Sequence, residues 1–322
     1  MAGHLEDGRW VTQESFANED GRYDRPESEF RDWVTADGSP GPDGQRAVKA
    51  EADRFHLYVA YACPWATRAL ILRELKGLQE MIPISVVNPL MRDQGWTFHE
   101  APGVIPDPMG HEALHEIYQL SDPHVNGKAT VPVLWDKHDR RIVNNESSEI
   151  IRMMTRAWDD LGALPLDTYP QALRAEIDEV NDRVYHTVNN GVYKAGFAET
   201  QEAYEDEVEK LFGSLFWLEE RLGSRDWLIG DWMTEADIRL ITTLMRFDAV
   251  YFGHFKCNVR QIRDFPALRA YVLRMCEVEA VRSTCHMDHI KQHYYRSHRS
   301  VNPTGIVPVG PEDWFPHAEP FA

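Results

Sequence analysis

Residues 54–88 confine the chain to few folds. RFHLYVA (54–60) alternates as a strand does, Ala66–Leu78 carries apolar residues at helical spacing, and IPISVVN (82–88) is a second apolar run. A β-α-β order implies parallel pairing through a right-handed crossover, and such units project side chains into a ligand crevice where strand hands over to helix. Cys63 and Pro64 stand at that junction. Proline is tolerated in a first helical turn because its amide has no intrahelical partner there. Cys63 is therefore expected at the positive end of a helix, where free N–H groups and the macrodipole favour thiolate over thiol. Ala66 occupies the place of the second cysteine of a dithiol oxidoreductase. A mixed disulfide on Cys63 would lack a C-x-x-C partner, so a thiol from solution must finish the turnover. A buried structural cysteine is the ordinary fate of a lone thiol; its position argues for the reactive one.

The remainder extends this plan. A Pro- and Gly-rich insertion (88–110) and a short helix near His111–Leu120 come first. TVPVLWDKHDRRIV reads as two strands joined by the turn Lys137–Arg140, and NNESSEIIRMMTRAW as cap-type residues opening a helix. The order is β-α-β-α-β-β-α. No convincing strand follows, and helical patterns at 171–190, 200–222, 234–249, 266–279 and 284–294 predict an all-α second domain. Thr234 and Asp237 form a capping-box-like entry to the third of these. The expected organisation is an irregular extension over 1–50, pinned by Phe30, Trp33 and Val34, an α/β domain over 51–160, a helical domain over 170–300 and an irregular tail over 301–322.

Among 322 residues, 34 Lys and Arg face 52 Asp and Glu, a net charge of −18 that argues against nucleic-acid and anionic-membrane partners. No apolar stretch is long enough to cross a bilayer, and MAGHLEDGRWVTQE has no secretory character. The four cysteines lack disulfide-framework spacing. A cytoplasmic protein in a reducing compartment is expected.

Further motifs carry bland readings beside sharp ones. Pro132 precedes a strand-like run, where it fits if the strand begins there or the bond is cis; the residues alone favour trans. Glu146 and Ser147 fall at a helix start able to hold a carboxylate, or to serve as an ordinary cap. HEALH (111–115) matches the zinc-hydrolase H-E-x-x-H pattern, but Tyr118 and Ser121 occupy the later Gly and His places of its metzincin extension. A solvated helix face is expected instead. His286, His289 and His293 fit one helix face and are expected to form a surface or dimer-contact stripe rather than a metal site. No metal is expected.

CPWATRAL, VVNPLM…GWTF, TVPVLWD, NNESSEIIRM, VNNGVYKAGFA, TEADIRL, RFDAVYFGHFKC and HYYRSH…NPTGI together resemble the glutathionyl-hydroquinone reductases, the Xi-class glutathione transferases, from about Phe30 to Gly310. The resemblance implies a thioredoxin-like N-terminal domain, an all-α C-terminal domain and a homodimer. It implies Cys63 as nucleophile and Tyr193 as proton donor, with Tyr251 and Tyr294 near thiol and quinone. Glutathione, the co-substrate, would be bound by Trp96, the segment Lys128, Ala129, Thr130 and Val131, and the pair Glu146 and Ser147. The substrates implied are glutathionylated aromatics and quinones. Lys128 stands where the family leads us to expect Arg, and an ammonium cannot make the two-pronged carboxylate contact of a guanidinium. A general thioltransferase or dehydroascorbate reductase using the same cysteine is the nearest alternative, and a non-catalytic binding module of the same shape is a third reading.

Overall fold

The computed structural model describes residues 2–13, 18 and 20–311. Among the described residues its contacts divide the chain into one unit of 2–13 and 26–167 and another of 18, 20–25 and 168–311.

The first unit opens with an antiparallel hairpin, β1 (Ala2–Glu6) and β2 (Arg9–Gln13), then a short parallel pair, β3 (Trp33–Thr35) and β4 (Ala47–Lys49). Its body is β5 (Phe55–Val59), α1 (Pro64–Leu75), β6 (Ile84–Val86), α2 (Leu114–Ser121), β7 (Val133–Asp136), β8 (Arg141–Asn144) and α3 (Ser147–Arg156). That is the β-α-β-α-β-β-α order read from the sequence. The strands lie in the order β6-β5-β7-β8. β5 pairs parallel with β6 and antiparallel with β7, and β7 antiparallel with β8.

Strand direction decides where a site can form. β5, β6 and β8 all finish at one end of the sheet, and β7 starts there, with Tyr58 opposite Val133 and Leu134 opposite Asn144. α1 and α3 consequently begin at that end, where the chain also leaves β6 and enters β7. Open α/β sheets gather ligands at the carboxyl ends of their strands for this reason.

The extension expected to be irregular is so only in part: residues 20–32 and 36–46 contain no helix or strand. Besides its four short strands, Leu5 exchanges backbone hydrogen bonds of 2.7 and 2.9 Å with Gly127. Trp33 and Val34 are buried, and the Val34 amide donates to Met153 Sδ at 3.0 Å. β1 and β2 join through the tight turn Asp7–Gly8, a local signal passed over in the sequence reading, whereas β3 and β4 are too short to show alternation. Residues 302–311 contain no helix or strand; the tail beyond 311 lies outside the described residues.

The second unit contains α4 (Arg174–Val184), α5 (Gly191–Gly196), α6 (Gln201–Leu222), α7 (Glu235–Arg246), α8 (Pro266–Glu277), α9 (Glu279–Arg282) and α10 (Met287–Ser297). No strand occurs among its described residues. Two π-helical turns, Tyr185–Asn189 and Phe247–Tyr251, interrupt the regular helices. They escape a period-3.6 reading, and such turns are frequent at functional sites. Every residue of α7 is buried, so its polar groups need protein partners. Asp237 accepts from the Thr234 amide at 2.8 Å and hydroxyl at 3.0 Å, the Leu228 amide at 3.0 Å and the Tyr271 hydroxyl at 3.1 Å. Asp237→Ala would leave these donors unmet, and is expected to cost about 2–4 kcal/mol of stability, measured by denaturant unfolding.

Candidate active site

Cys63 is the N-cap of α1 and Pro64 its first residue. The Cys63 backbone is extended (φ −82°, ψ 120°) and its carbonyl accepts from the Thr67 amide at 3.0 Å, opening the helix. Its sulfur lies 3.5 Å from the Val131 carbonyl. The register explains this: Val131 arrives at β7 where β5 leaves for α1. The Val131–Pro132 bond is cis, in place of the trans form that the residues alone favoured. Cys63 is half-buried, whereas Cys257, Cys276 and Cys285 are buried in the second unit. Burial pushes the Cys257 and Cys276 thiols well above their ordinary value and Cys285 to about 12, keeping all three protonated.

The segment 128–131 is braced from beneath. Tyr118 on α2 donates to the Thr130 carbonyl at 2.8 Å, while its hydroxyl accepts from the Thr130 amide and Asn145 Nδ2, each at 3.1 Å. Burial raises the Tyr118 pKa, so it serves as a neutral hydrogen-bonding post. Lys128, Ala129 and Thr130 are half-buried; Trp96 is buried, with its carbonyl accepting from the Leu114 amide at 2.9 Å.

α3 supplies the other wall. Glu146 is its N-cap and Ser147 its first residue. Glu146 Oε1 accepts from the Ser148 amide at 3.0 Å and hydroxyl at 2.9 Å, and Oε2 from the Ser28 hydroxyl at 3.1 Å. Burial opposes ionisation of Glu146. The Ser148 and Ser28 hydrogen bonds and the Arg68 charge outweigh it and hold the carboxyl below the usual carboxylate range. Arg68, buried on α1, donates through Nη1 to Ser147 Oγ at 3.3 Å and stacks over the Trp65 ring with Cζ 4.4 Å from its centroid.

Sequence reading missed Arg68, Tyr118 and Ser28. A guanidinium within the otherwise apolar run ATRALIL was the available signal for the first. Tyr118 and Ser28 had none, because their partners lie far away in sequence.

A second constellation lies within the helical unit. Tyr193 on α5, Tyr251 closing the second π turn and Tyr294 on α10 join their hydroxyls, Tyr193 to Tyr294 at 2.5 Å and Tyr251 to Tyr294 at 2.9 Å. Tyr251 and Tyr294 are 0% and 1% exposed and Tyr193 8%, so Tyr193 is the most exposed of the three. Phe255 stacks on Tyr251 with centroids 5.6 Å apart. A Cβ at Gly196 would collide with the Phe255 ring, which explains a glycine inside α5. Burial first, and the neighbouring phenols next, raise Tyr294 well above the ordinary phenol value.

The histidine motifs resolve differently from expectation. α2 begins at Leu114, so His111 and His115 do not share a helix face. His111 Nδ1 meets Asp107 Oδ2 at 2.6 Å; His115 is buried, stacked on Trp10 and 3.1 Å from Gln94 Oε1. His286, His289 and His293 are buried rather than forming a surface or dimer-contact stripe. The helical packing takes them in: the His293 ring lies 5.2 Å from those of Tyr294 and His298. Among the described residues no group of three or more His, Cys, Asp or Glu could hold a metal, and no helix is long and apolar enough to cross a membrane.

The sheet, the cysteine at the start of α1 and the helical unit define a glutathione transferase. Profiles described as glutathione S-transferase N-terminal and C-terminal domains match residues 62–157 and 201–274. The chain is 53% identical to glutathionyl-hydroquinone reductase PcpF of Sphingobium chlorophenolicum, over 92% of each chain. It is 52% identical to glutathionyl-hydroquinone reductase YqjG of Escherichia coli, over 96% of this chain and 95% of that one. A glutathione-bound structure of YqjG superposes with a TM-score of 0.89, 49% identity and coverage of 99% and 98%. The Xi glutathione transferase of Phanerochaete chrysosporium gives a TM-score of 0.87, 48% identity and coverage of 94% and 97%. The chain belongs to the glutathionyl-hydroquinone reductase family, the Xi class of glutathione transferases.

Arg68→Met is expected to move protonation of Glu146 to higher pH, read by carboxyl-carbon NMR titration. The sign follows from the depressed folded value. Ionised Glu146 stabilises the fold above its unfolded pKa of about 4.3. That contribution is lost as pH falls through the folded pKa, and losing the Arg68 charge brings the loss on earlier.

Proposed function

We propose that this protein reduces glutathionyl-hydroquinones to hydroquinones with glutathione, using Cys63 as the nucleophile. The carrying observation is one half-buried thiol at a helix start, 3.5 Å from the Val131 carbonyl, with no second cysteine in its unit. The relatives PcpF and YqjG, both named glutathionyl-hydroquinone reductases, support the same reading.

In this reading the Val131 backbone pairs with the tripeptide as an added strand would. The start of α3 and Ser147 take the γ-glutamyl carboxylate, and Glu146, held ionised, takes the ammonium. Trp96 and the segment Lys128, Ala129 and Thr130 complete the glutathione site, with Lys128 making a one-pronged contact.

Chemistry proceeds in two displacements. The Cys63 thiolate attacks the glutathionyl sulfur; the carbon–sulfur bond breaks and its electron pair takes a proton from Tyr193 onto the ring carbon. This yields a Cys63–glutathione disulfide and free hydroquinone. The sulfur of a second glutathione then attacks the disulfide, restoring the Cys63 thiolate and releasing oxidised glutathione, while its proton restores Tyr193. Phenols suit the donor role because they stay protonated at neutral pH. Tyr251 and Tyr294 support Tyr193 through their hydroxyls. Our reading includes a homodimer, testable by light scattering, and a cytoplasmic setting.

Incubation with glutathionyl-hydroquinone is expected to leave a glutathione adduct on Cys63, located by mass spectrometry. Cys63→Ser should abolish both adduct and turnover; full activity in that variant would refute the assignment. Tyr193→Phe is expected to lower kcat by about 10²- to 10³-fold with far less effect on glutathione affinity. A simple glutathione mixed disulfide needs no proton on carbon, so its reduction should survive Tyr193→Phe; equal losses on both substrates would favour a general thioltransferase.

A further inference from the structure

Arg25 has no part in the chemistry above, yet it stands over the proton donor. Its Cζ is 5.0 Å from the Tyr193 ring centroid and 5.7 Å from that of Tyr23. Its Nε donates to Asn190 Oδ1 at 2.7 Å. Asn190 is buried and lies one turn before Tyr193, whose amide donates to the Asn190 carbonyl at 3.0 Å. The residue at the start of α5 thus also anchors the guanidinium. Tyr23 packs 6.4 Å from Tyr193 and 5.3 Å from Phe197, centroid to centroid, so the segment before Pro26 is built onto the helical unit at this aromatic face. Tyr193's hydroxyl meets Tyr294.

We propose that Arg25 is a positioning residue for proton donation: clamped by Asn190 above the Tyr193 ring, its fixed positive charge stabilises the phenolate that Tyr193 becomes. The inference rests on Tyr193 being the donor. A neutral ring attracts a cation modestly through its quadrupole. When the O–H bond breaks and the proton passes to the substrate's ring carbon, ring and oxygen carry a full negative charge, and the attraction grows. An interaction stronger after proton departure than before it accelerates the transfer. Arginine suits the task because it stays charged at every working pH and its planar fork holds an amide oxygen while its face covers a ring.

The sign of the pH effect is definite. Tyr193 must be protonated to donate, so the rate falls as pH rises through its pKa, and the Arg25 charge lowers that pKa. In single-turnover reduction of glutathionyl-hydroquinone, Arg25→Gln is expected to shift the alkaline limb upward by about one pH unit. Its plateau rate should drop about threefold to tenfold, because the donor is a weaker acid. Arg25→Lys, which keeps the cation, should hold the limb near its original place, and Arg25→Gln should add nothing in a Tyr193→Phe background. Arg25→Met, which preserves much of the stem, replaces Arg25→Gln if that variant does not fold. An unshifted limb, or an equal slowing by Arg25→Gln in the Tyr193→Phe background, overturns the role of Arg25 while Tyr193 remains the donor. A Tyr193→Phe enzyme as fast as the unaltered protein overturns the donor assignment, and this inference with it.

Discussion

The Cys63 site depends on the direction of four strands. Because β5, β6 and β8 end where β7 begins, the starts of α1 and α3 and the Val131 loop converge without any long reach. Each brings backbone groups left unpaired by its own element, and those groups can meet a peptide-like ligand. Arg68 then ties the two helix starts together, touching Ser147 directly and biasing Glu146 through its charge. A buried guanidinium is costly unless it meets polar partners, so the link also constrains how α1 packs beside α3.

The proton donation proposed for Tyr193 poses a different problem. A proton delivered to carbon needs a donor that remains protonated at neutral pH and sits among apolar rings able to exclude water. Burial keeps the Tyr294 hydroxyl neutral, so it can hydrogen-bond to its neighbours without losing its proton. Two nearby histidines are pushed towards the neutral form by the same burial: His254 falls to about 3 and His298 well below its ordinary value, with His254 Nε2 3.2 Å from His298 Nδ1.

Cysteine placement separates the two units chemically. One thiol is accessible at a helix start, and three are buried where desolvation keeps them protonated. With no resolving cysteine in its own unit, a disulfide on Cys63 waits for an external thiol. The reaction therefore consumes glutathione as reductant as well as carrying it on the substrate.

Much of this was legible in the amino-acid order. The strand–Cys63–Pro64–helix junction, the element sequence of the first unit, the capping pair Thr234 and Asp237 and the helical character after residue 170 are local patterns, governed by periodicity and by unpaired amides at helix ends. Cys63 and the Glu146–Ser147 pair could be located for the same reason. The hairpin of β1 and β2 had a local signal in its Asp7–Gly8 turn, but the order of residues could not disclose the pairing of β3 with β4, the cis bond at Pro132 or the burial of the three histidines around α10. Nor could it reveal that Arg68, Tyr118 and Ser28 brace the start of α3 and the Val131 segment, or that Arg25 lies over the Tyr193 ring. Each of these depends on partners distant in the chain, through burial or through hydrogen bonds that exist only once the units have closed. Local sequence determined the elements around the strand–helix junction and the place of its lone sulfur; tertiary packing alone decided which charges and phenols gather near one another.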